Sequence, residues 1–483
     1  MRRRDFIKNT GIAAAGVASG ASLGFAGDRP PNILFILVDQ MRTPRNPAEK
    51  VTPNVDRIAA RGINFKNHFV SAVPCSPSRA CLMTGTYTTQ NGINTNCDML
   101  EEDIQSSLDP RIPTMGRIFS DAGYRTPYKG KWHLSLRKDI RGRNALSKYG
   151  FEDWQHPDST FGGMAYQGAA FDHFYTHQAC RWLKNSDNRK KPWFLTCSLI
   201  NPHDICEYPK YYPASRFGKI HTDHPPDNWN DDLSGKPAVQ REFRQRYNQF
   251  AGHMDETDPD VWRRYMDYYT YCLEDMDENV GDLLDALEQS GQRDNTIIVF
   301  TADHGEMAGS HGLRTKGNFA YEEIMNVPLI ISWPGRIQAG VETNALASNV
   351  DIMPTLAALG GLSNLPYMAG KDLSQAIFDP QQGSVRDEIV YHQGWEINPS
   401  LRGKYGGFKN PGQVRCVRNG EWKYAYYFER DGGDNVDFEL YSLKNDPLEM
   451  TNLANDAGYK KVRVELHEQL LEFERKILED FRD

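Results

Sequence analysis

A short run, Cys75-Ser76-Pro77-Ser78-Arg79, holds the residues best suited to covalent chemistry. A cysteine thiol can act as a nucleophile, and a proline is favoured at an early position of a helix. The run therefore predicts a helix that opens near Cys75. A buried, unreactive cysteine at a helix start would give the same five residues, so the run alone suggests a nucleophile without establishing one.

Polar residues follow two apolar runs, at the points where strands should end. Asp39 and Gln40 follow the first run, and Asp303 and His304 follow the later one. Oxygen-rich side chains delivered by separate strand ends suit a hard divalent cation such as calcium, which takes about six to eight oxygen ligands. Because an imidazole also suits manganese or zinc, the identity of the cation stays open.

Three further segments supply groups that can act on an anion. Lys131 and His133 lie in the first segment, His203 in the second and Lys316 in the third. The net charge of −8 gives no long-range attraction for polyanions, so specific residues of this kind must hold any anionic substrate. Taken singly, Lys131 would also fit a solvated turn, and His133 would also fit an ordinary surface position.

The run at residue 75 resembles the Cys-x-Pro-x-Arg signature of the type I sulfatases, a formylglycine-dependent family of the alkaline phosphatase superfamily. Other segments resemble the same family in the same order, and together they span about residues 32–453. These segments are residues 82–86, 130–133, 201–203, 311–317, 327–330 and 439–453. Their conjunction is far more specific than any single motif.

The resemblance implies a modified nucleophile and a bound cation. A maturation enzyme would oxidise Cys75 to formylglycine (3-oxoalanine), whose hydrate offers one hydroxyl to attack sulfur and a second to expel sulfate. One calcium ion would be bound by Asp39, Gln40, Asp303, His304 and the modified residue. Many relatives carry aspartate in place of Gln40 and asparagine in place of His304, so manganese and zinc stay alternatives to calcium.

The resemblance also implies roles for the remaining cations and histidines. Arg79 would help to hold and activate the formylglycine hydrate, while Lys131 and Lys316 would bind the sulfate oxygens. His133 would take the proton whose removal lets the sulfated residue collapse. Because a sugar or alkyl alkoxide is a poor leaving group, His203 is expected to bind near the ester oxygen and protonate it, with Lys316 as competitor or partner.

The expected substrate is a sulfated small molecule or oligosaccharide, with a sulfated carbohydrate favoured because aromatic side chains can stack on sugars. Two other functions stay open. A formylglycine-dependent phosphonate monoester or phosphodiester hydrolase of the same superfamily shares the Asp-Gln start and the Asp-His pair. A catalytically inactive relative that binds sulfated glycans is disfavoured, because every catalytic position carries a competent residue.

Alternating strands and helices are expected to position these residues. Three apolar runs, residues 32–38, 193–200 and 296–300, predict parallel strands covered on both faces. Helices are predicted at residues 53–61, 114–122, 170–183 and 258–289. The order predicts an α/β fold, with a large mixed, mostly parallel sheet flanked by helices, and the resemblance makes it alkaline-phosphatase-like. In such sheets ligands bind at the carboxyl ends of the strands.

The pattern changes after about residue 370, which predicts a catalytic domain at residues 28–370 and a smaller α+β subdomain at residues 371–483. In the second part, a strand near residues 388–392 and a hairpin that turns at Asn419-Gly420 predict an antiparallel sheet, and a helix is predicted at residues 459–480. Residues 207–257 show no clean period, so a long insertion is expected there, either near the site or merely solvated.

The first 27 residues have the features of a targeting peptide. Arg3-Arg4-Asp5 opens a segment that resembles the twin-arginine export signal, and the apolar stretch that follows is too short and too rich in small residues for a stable membrane span. A bacterial protein exported by the twin-arginine machinery to the periplasm, or to the outside of the cell, is therefore expected, with a generic secretory signal as the alternative. The composition makes nucleic-acid binding a poor hypothesis, and eight scattered cysteines indicate neither a zinc cluster nor a disulfide framework.

Overall fold

The computed structural model describes most of the chain. The described residues are 29–97, 105–142, 144–155, 157–158, 166–210, 222–381, 383–394, 412–429 and 436–481. The predicted targeting peptide at residues 1–27 lies outside them, as do residues 211–221 of the expected insertion. In the described part of the chain, no helix has the length and apolar character needed to cross a membrane.

A seven-stranded sheet carries the catalytic candidates. Its strands in chain order are β1 Asn32–Asp39, β2 Ile63–Phe69, β3 Tyr128–Gly130, β4 Phe194–Pro202, β5 Thr296–Ala302, β6 Leu329–Ser332 and β7 Val341–Ser348. They lie side by side in the order β3-β4-β1-β5-β6-β2-β7, and β6 runs antiparallel to both of its neighbours. This mixed, mostly parallel sheet confirms the predicted fold class, and the three predicted strands are its neighbours β4, β1 and β5.

Strand β1 is apolar throughout because it is covered on both faces. Leu34 and Ile36 belong to one buried hydrophobic cluster, whereas Phe35 and Leu37 belong to another. Successive side chains of a strand point to opposite faces, so a strand between two layers of helices needs an apolar residue at every position. The strand ends at Asp39, a buried carboxylate at the carboxyl end of β1.

Helices flank the sheet. They are α1 Pro53–Ala59, α2 Cys75–Thr84, α3 Thr88–Asn91, α4 Met115–Asp121, α5 Gln167–Lys184, α6 Ala238–Ala251, α7 Pro259–Gln289, α8 Glu322–Met325, α9 Ile352–Leu359, α10 Ser374–Phe378 and α11 Lys460–Asp480. The predicted helices correspond to α1, α4, α5, α7 and α11, with ends displaced by a few residues. The stretch without a clean period contains α6, whose Val239 and Phe243 are buried, so part of the expected insertion is regular structure.

A second, four-stranded sheet follows the first along the chain. Its strands are β8 Glu388–Gly394, β9 Gln413–Asn419, β10 Trp422–Phe428 and β11 Asp437–Ser442, and all are antiparallel to their neighbours. Helix α11 covers it by packing Leu466 and Leu470 against Val417 and Leu440. The predicted antiparallel sheet and closing helix are confirmed, although the hairpin loop is Gly420-Glu421, one residue later than predicted.

Strand β8 links the second sheet to the segments that carry the site. The His392 amide donates a hydrogen bond to the Ser71 carbonyl, 2.8 Å away, on the segment that leads to α2. Gln393 Nε2 donates to the Gly317 carbonyl, also at 2.8 Å, directly after Lys316. Strand β8 thus contacts both the segment that precedes Cys75 and the segment that contains Lys316, and it holds the two segments in fixed positions relative to each other.

Candidate active site

The carboxyl ends of two neighbouring parallel strands, β1 and β5, converge on the start of helix α2. Asp39 ends β1, Asp303 directly follows β5, and Cys75 is the first residue of α2, as the sequence predicts. The helix ends at Thr84, and the next residue, Gly85, has a φ of +65°, the left-handed conformation that glycine adopts without strain. Cys75 is only 1% exposed, so the predicted nucleophile lies inside the protein.

Four side chains form a compact set of potential metal ligands: Asp39, Cys75, Asp303 and His304 are all buried, and one ligand atom from each lies within 4.8 Å of the others. Cys75 Sγ is 3.2 Å from His304 Nε2 and 3.6 Å from Asp39 Oδ1. His304 Nδ1 is 2.9 Å from the Gly305 carbonyl, which favours the tautomer that leaves the Nε2 lone pair facing the cluster. Burial lowers the pKa of His304 and so favours the neutral, ligating form.

Arg79 bridges the two carboxylates from behind. Its Nε donates to Asp303 Oδ2 at 2.8 Å, and its Nη2 donates to Asp39 Oδ2 at 3.1 Å. Its Nη1 also donates to the Lys131 carbonyl and to Ser198 Oγ, each at 2.9 Å. Burial by itself would lower the pKa of Arg79, but Asp303 and Asp39 raise it, so the guanidinium stays charged. Arg79 therefore holds both carboxylates in a fixed orientation.

Lys131 contributes a second positive charge on the same carboxylate. Its Nζ lies 2.6 Å from Asp39 Oδ2 and 4.0 Å from Cys75 Sγ. Burial opposes the charged ammonium, yet Asp39 raises its pKa. The pKa of Asp39 is correspondingly held well below its usual value, because the charges of Lys131, His203 and Arg79 outweigh the effect of burial. Both groups are therefore ionised near neutral pH.

Lys316 reaches the site from the other side, next to Gln40. Its Nζ donates to the side-chain carbonyl of Gln40 and lies 3.5 Å from Cys206 Sγ. Burial would lower its pKa, but surrounding groups raise it, first the thiols of Cys206 and Cys75 when ionised and then Asp39. At neutral pH Lys316 is thus an ammonium, 8% exposed.

His203 lies beside this lysine, on a short 3-10 turn that follows β4. The side chain is half-buried. Desolvation, followed by the positive charges of Lys316 and Lys131, holds its pKa well below the usual value, whereas Asp39 acts in the opposite direction. Because the two ammonium groups oppose its protonation, an anion bound between them would make the protonated imidazole easier to form.

The main chain of His133 is clamped in a left-handed conformation with a φ of +58°. Its amide donates to Asp158 Oδ2 at 3.1 Å, and the Trp132 amide donates to the other oxygen at 3.0 Å. Ser76 Oγ donates to the His133 carbonyl at 2.5 Å. A non-glycine residue at positive φ persists only where its surroundings hold it, so these contacts fix His133 relative to the start of α2.

The structure brings all the predicted site residues into one region, and it adds some that the sequence did not reveal. Gln40 takes a φ of +72°, its amide donates to Asp303 Oδ1 at 3.1 Å, and its side chain faces Lys316. Glu306, Cys206 and Asp158 were not predicted. Glu306 stands three residues after Asp303, a signal that sequence reasoning had available, whereas Asp158 lies in a segment without a pattern.

Comparison with known proteins agrees with this geometry. A family model described as "Sulfatase" matches residues 31–362, and one described as "N-sulphoglucosamine sulphohydrolase, C-terminal" matches residues 309–476. A solved structure of a 2-O GAG sulfatase aligns with a TM-score of 0.74 at 25% identity, covering 94% of each chain. A phosphonate monoester hydrolase of Agrobacterium radiobacter aligns with a TM-score of 0.71 at 25% identity, covering 92% of this chain and 96% of that one.

Relatives are also similar over nearly their whole length. The uncharacterized sulfatase YidJ of Escherichia coli is 30% identical over 494 residues, which cover 94% of this chain and 88% of that protein. An N-acetylglucosamine-6-O-sulfatase of Bacteroides thetaiotaomicron is 29% identical, covering 97% of this chain and 90% of that protein. The chain therefore belongs to the formylglycine-dependent sulfatase family of the alkaline phosphatase superfamily, and it is a sulfuric ester hydrolase.

Proposed function

We propose that this protein hydrolyses sulfate monoesters of a sulfated carbohydrate, with formylglycine made from Cys75 as the nucleophile and one calcium ion as the cation. The observation that carries the proposal is the convergence of a buried cysteine, two carboxylates and two ammonium groups within one site. The relatives named N-acetylglucosamine-6-O-sulfatase and Delta 4,5-hexuronate-2-O-sulfatase support a glycosaminoglycan-type substrate.

The donor set fits a divalent cation. Asp39 and Asp303 would supply carboxylate oxygens, Gln40 a carbonyl oxygen and His304 a neutral nitrogen, together with an oxygen of the modified residue. Oxygen donors favour calcium, and the single imidazole leaves manganese and zinc as the competitors. When bound, the cation would supply positive charge against the sulfate oxygens and the modified residue.

The thiol of Cys75 stands in for the hydroxyl oxygens of the hydrated formylglycine. That hydrate would supply a hydroxyl for attack on sulfur and a second hydroxyl that allows release of sulfate. Because Cys75 Sγ lies 4.0 Å from Lys131 Nζ and 3.2 Å from His304 Nε2, the group that replaces it is bordered by a positive charge and a potential ligand. These neighbours favour an ionised oxygen at this position.

The surrounding residues would act on charge and protons. Lys131 and Lys316 would bind the sulfate oxygens as fixed positive charges, and Arg79 would hold the two carboxylates in place. His203 would give its proton to the departing alcohol oxygen, after the bound anion has offset the charges of the two lysines. His133, clamped near the start of α2, would take the proton from the second hydroxyl.

We also propose export through the twin-arginine machinery to the periplasm, after oxidation of Cys75 in the cytoplasm. With Cys75 only 1% exposed, a maturation enzyme would have no access to it in the folded protein. Oxidation before folding is compatible with export of a folded chain, because both events then precede passage through the membrane.

Two measurements test the proposal. Mass spectrometry of the peptide that contains position 75, from protein made with a maturation enzyme, should show the mass of formylglycine, and an unmodified thiol would contradict the proposed nucleophile. A screen of defined sulfated oligosaccharides should then release sulfate from at least one. Failure on every sulfated carbohydrate, with turnover of a small ester such as choline sulfate, would contradict the proposed substrate class.

A phosphonate monoester hydrolase is the second candidate function. It is favoured by the Asp39-Gln40 and Asp303-His304 pairs and by the fold shared with the hydrolase of Agrobacterium radiobacter. Rates on a sulfate monoester and on a phosphonate monoester with the same alcohol separate the two functions. A large preference for the phosphonate would make phosphonate hydrolysis, and not sulfate hydrolysis, the main activity of this member of the sulfatase family.

A further inference from the structure

We propose that Glu306 is a positioning residue, which fixes the side-chain amide of Gln40 so that its carbonyl oxygen faces Lys316 and the proposed cation. The inference rests on the proposed function for the cation itself. It concerns a residue that lies behind the site and contacts neither the predicted nucleophile nor the predicted metal ligands Asp39 and Asp303. Gln40 and Glu306 are both fully buried, so each polar atom must find a partner within the protein.

The partners of Glu306 define the two ends of its carboxylate. One oxygen, Oε1, accepts three hydrogen bonds: from Tyr265 Oη at 2.8 Å, from the Ala308 amide at 2.9 Å and from the Thr315 amide at 2.7 Å. The other oxygen, Oε2, accepts a hydrogen bond from Gln40 Nε2 at 2.5 Å. Since two of the three donors to Oε1 are main-chain amides, that end of the side chain can only be an acceptor.

These contacts leave one orientation for the amide of Gln40. Its nitrogen must face the carboxylate of Glu306, so its oxygen must face the opposite way, toward the Nζ of Lys316 and the thiol of Cys206. The reverse orientation would place an oxygen against a carboxylate and an NH₂ group against an ammonium, with two repulsive contacts in a buried site. Glu306 therefore decides which atom Gln40 presents to the cation site.

The pairing also accounts for a neutral residue at position 40, where many relatives of the family carry aspartate. Glu306, which lies behind Gln40, already carries a carboxylate 2.5 Å from the Gln40 side chain. An acidic residue at position 40 would place a second carboxylate beside it, and the two would repel each other unless one were protonated. Gln40 thus supplies a carbonyl oxygen to the site, and the carboxylate of Glu306 outside the site sets the direction of that oxygen.

The decisive variant is Glu306→Gln, which keeps the size and shape of the side chain. The main-chain amides of Ala308 and Thr315 hold the carbonyl of the new residue, so its NH₂ group must take the place of Oε2. Gln40 then has to turn its carbonyl toward that group and its own NH₂ toward the cation site. We expect calcium affinity, measured by isothermal titration calorimetry on the mature protein, to fall by about tenfold to a hundredfold.

The double variant Gln40→Glu with Glu306→Gln supplies the rescue. Its carboxylate at position 40 accepts from the NH₂ group at position 306 and still offers an oxygen to the site, so calcium affinity should return to the wild-type value or exceed it. Tyr265→Phe is the matched control: it removes one hydrogen bond to Glu306 but leaves the contact with Gln40, and calcium affinity should change little. Melting temperatures in excess chelator report folding separately from cation binding.

Two outcomes would overturn the inference. The first is calcium affinity in Glu306→Gln equal to that of wild type, and the second is a double variant no better than the single one while both stay folded. A wild-type protein that binds manganese in place of calcium would contradict the proposed cation, and the same titrations with manganese would still test Glu306. A wild-type protein that binds the cation without hydrolysing sulfate esters would contradict the proposed activity, and the titrations would still test Glu306.

Discussion

Two buried clusters of charged residues in this protein differ in their balance of charge. In the first, the Asp39 cluster, two cations converge on one carboxylate, since Lys131 Nζ lies 2.6 Å and Arg79 Nη2 3.1 Å from Asp39 Oδ2. Burial would raise the pKa of Asp39, but Lys131, His203 and Arg79 hold it well below its usual value. Arg79 also pairs with Asp303 at 2.8 Å, so these two cations and two carboxylates balance. The ammonium of Lys316, which contacts the neutral side chain of Gln40, adds a further positive charge that suits an anionic ligand.

The second, the Lys423 cluster, consists of Glu322, Arg418, Lys423 and Glu449. Here two carboxylates converge on one ammonium, because Lys423 contacts Glu449 and lies 3.5 Å from Glu322, which also pairs with Arg418 at 3.3 Å. Its charges compensate each other and join α8 to the second sheet. The difference teaches that buried charge alone does not mark a site. Only a cluster with an excess of one charge attracts a ligand of the opposite charge.

The largest effect is expected at His203, on the border of the Asp39 cluster. Replacing it with alanine should lower kcat/KM for a sulfated sugar by about a hundredfold to ten-thousandfold, because the alkoxide leaves without a proton. The loss should be far smaller for 4-nitrophenyl sulfate, whose phenolate leaves readily. His173→Ala, on an exposed face of α5, is the control. Equal losses on both esters would exclude His203 as the acid.

Breaking the Lys423 cluster should change stability and leave catalysis intact. Lys423→Met removes the cation shared by two buried carboxylates and should lower the free energy of unfolding by about 3 to 5 kcal/mol, measured by urea denaturation. The kcat per folded molecule should stay close to wild type. Lys66→Met, which breaks an exposed pair with Glu342, should cost at most about 1 kcal/mol. A collapse of kcat in Lys423→Met would mean that this cluster also serves the site.

For Lys131→Met we expect the opposite result, a large loss of catalytic rate with a small loss of stability. Loss of a fixed positive charge at the sulfate should lower kcat/KM by about a hundredfold to a thousandfold. Asp39 keeps its ion pair with Arg79, so the cost in unfolding free energy should be well below that of Lys423→Met. Steady-state rates and urea denaturation of the two variants measure the contrast directly. A stability loss as large as that of Lys423→Met would remove the distinction between the clusters.

The sequence predicted the elements of the Asp39 cluster well, because local patterns encode them. Continuous apolar runs predicted β1, β4 and β5, and polar residues at their ends predicted where the site would form. A proline near the beginning of the helix likewise predicted that α2 would start at Cys75. The domain limits at residue 370 and the roles of the individual site residues stay predictions.

Contacts between distant segments could not be predicted, because no local pattern records them. Glu306 and Gln40 are 266 positions apart, and their pairing depends on the junction of β1 with the loop after β5. Lys423 lies in a hairpin where alternation would allow a solvent-facing lysine, yet it is 1% exposed. Helix α6 was missed because its apolar residues are few and its mean character is polar.

The final prediction uses pH to separate the clusters. Burial and the charge of Glu322 raise the pKa of Glu449 to about 7, against the opposing charge of Lys423. The ordinary value is about 4.5, so between about pH 4.5 and 7 the folded state holds a proton that the unfolded state has lost. The contribution of Glu449 to stability therefore falls as pH rises through this window, by at most about 3 kcal/mol.

Glu449→Gln should abolish this dependence, because the amide stays neutral and can still accept the hydrogen bond from the Glu322 amide. Urea denaturation from pH 4.5 to 8 should show the variant gaining stability relative to wild type as pH rises. Parallel curves would show that Glu449 ionises normally. Asp39 cannot contribute in the same window, because its pKa is shifted the other way and its stabilising effect is lost only in more acidic solution. A fall in stability over pH 4.5–7 that Glu449→Gln removes would therefore belong to the Lys423 cluster. His203 and His304 of the site have lowered pKa values, so they give a change of the opposite sign that the wild type and the variant share.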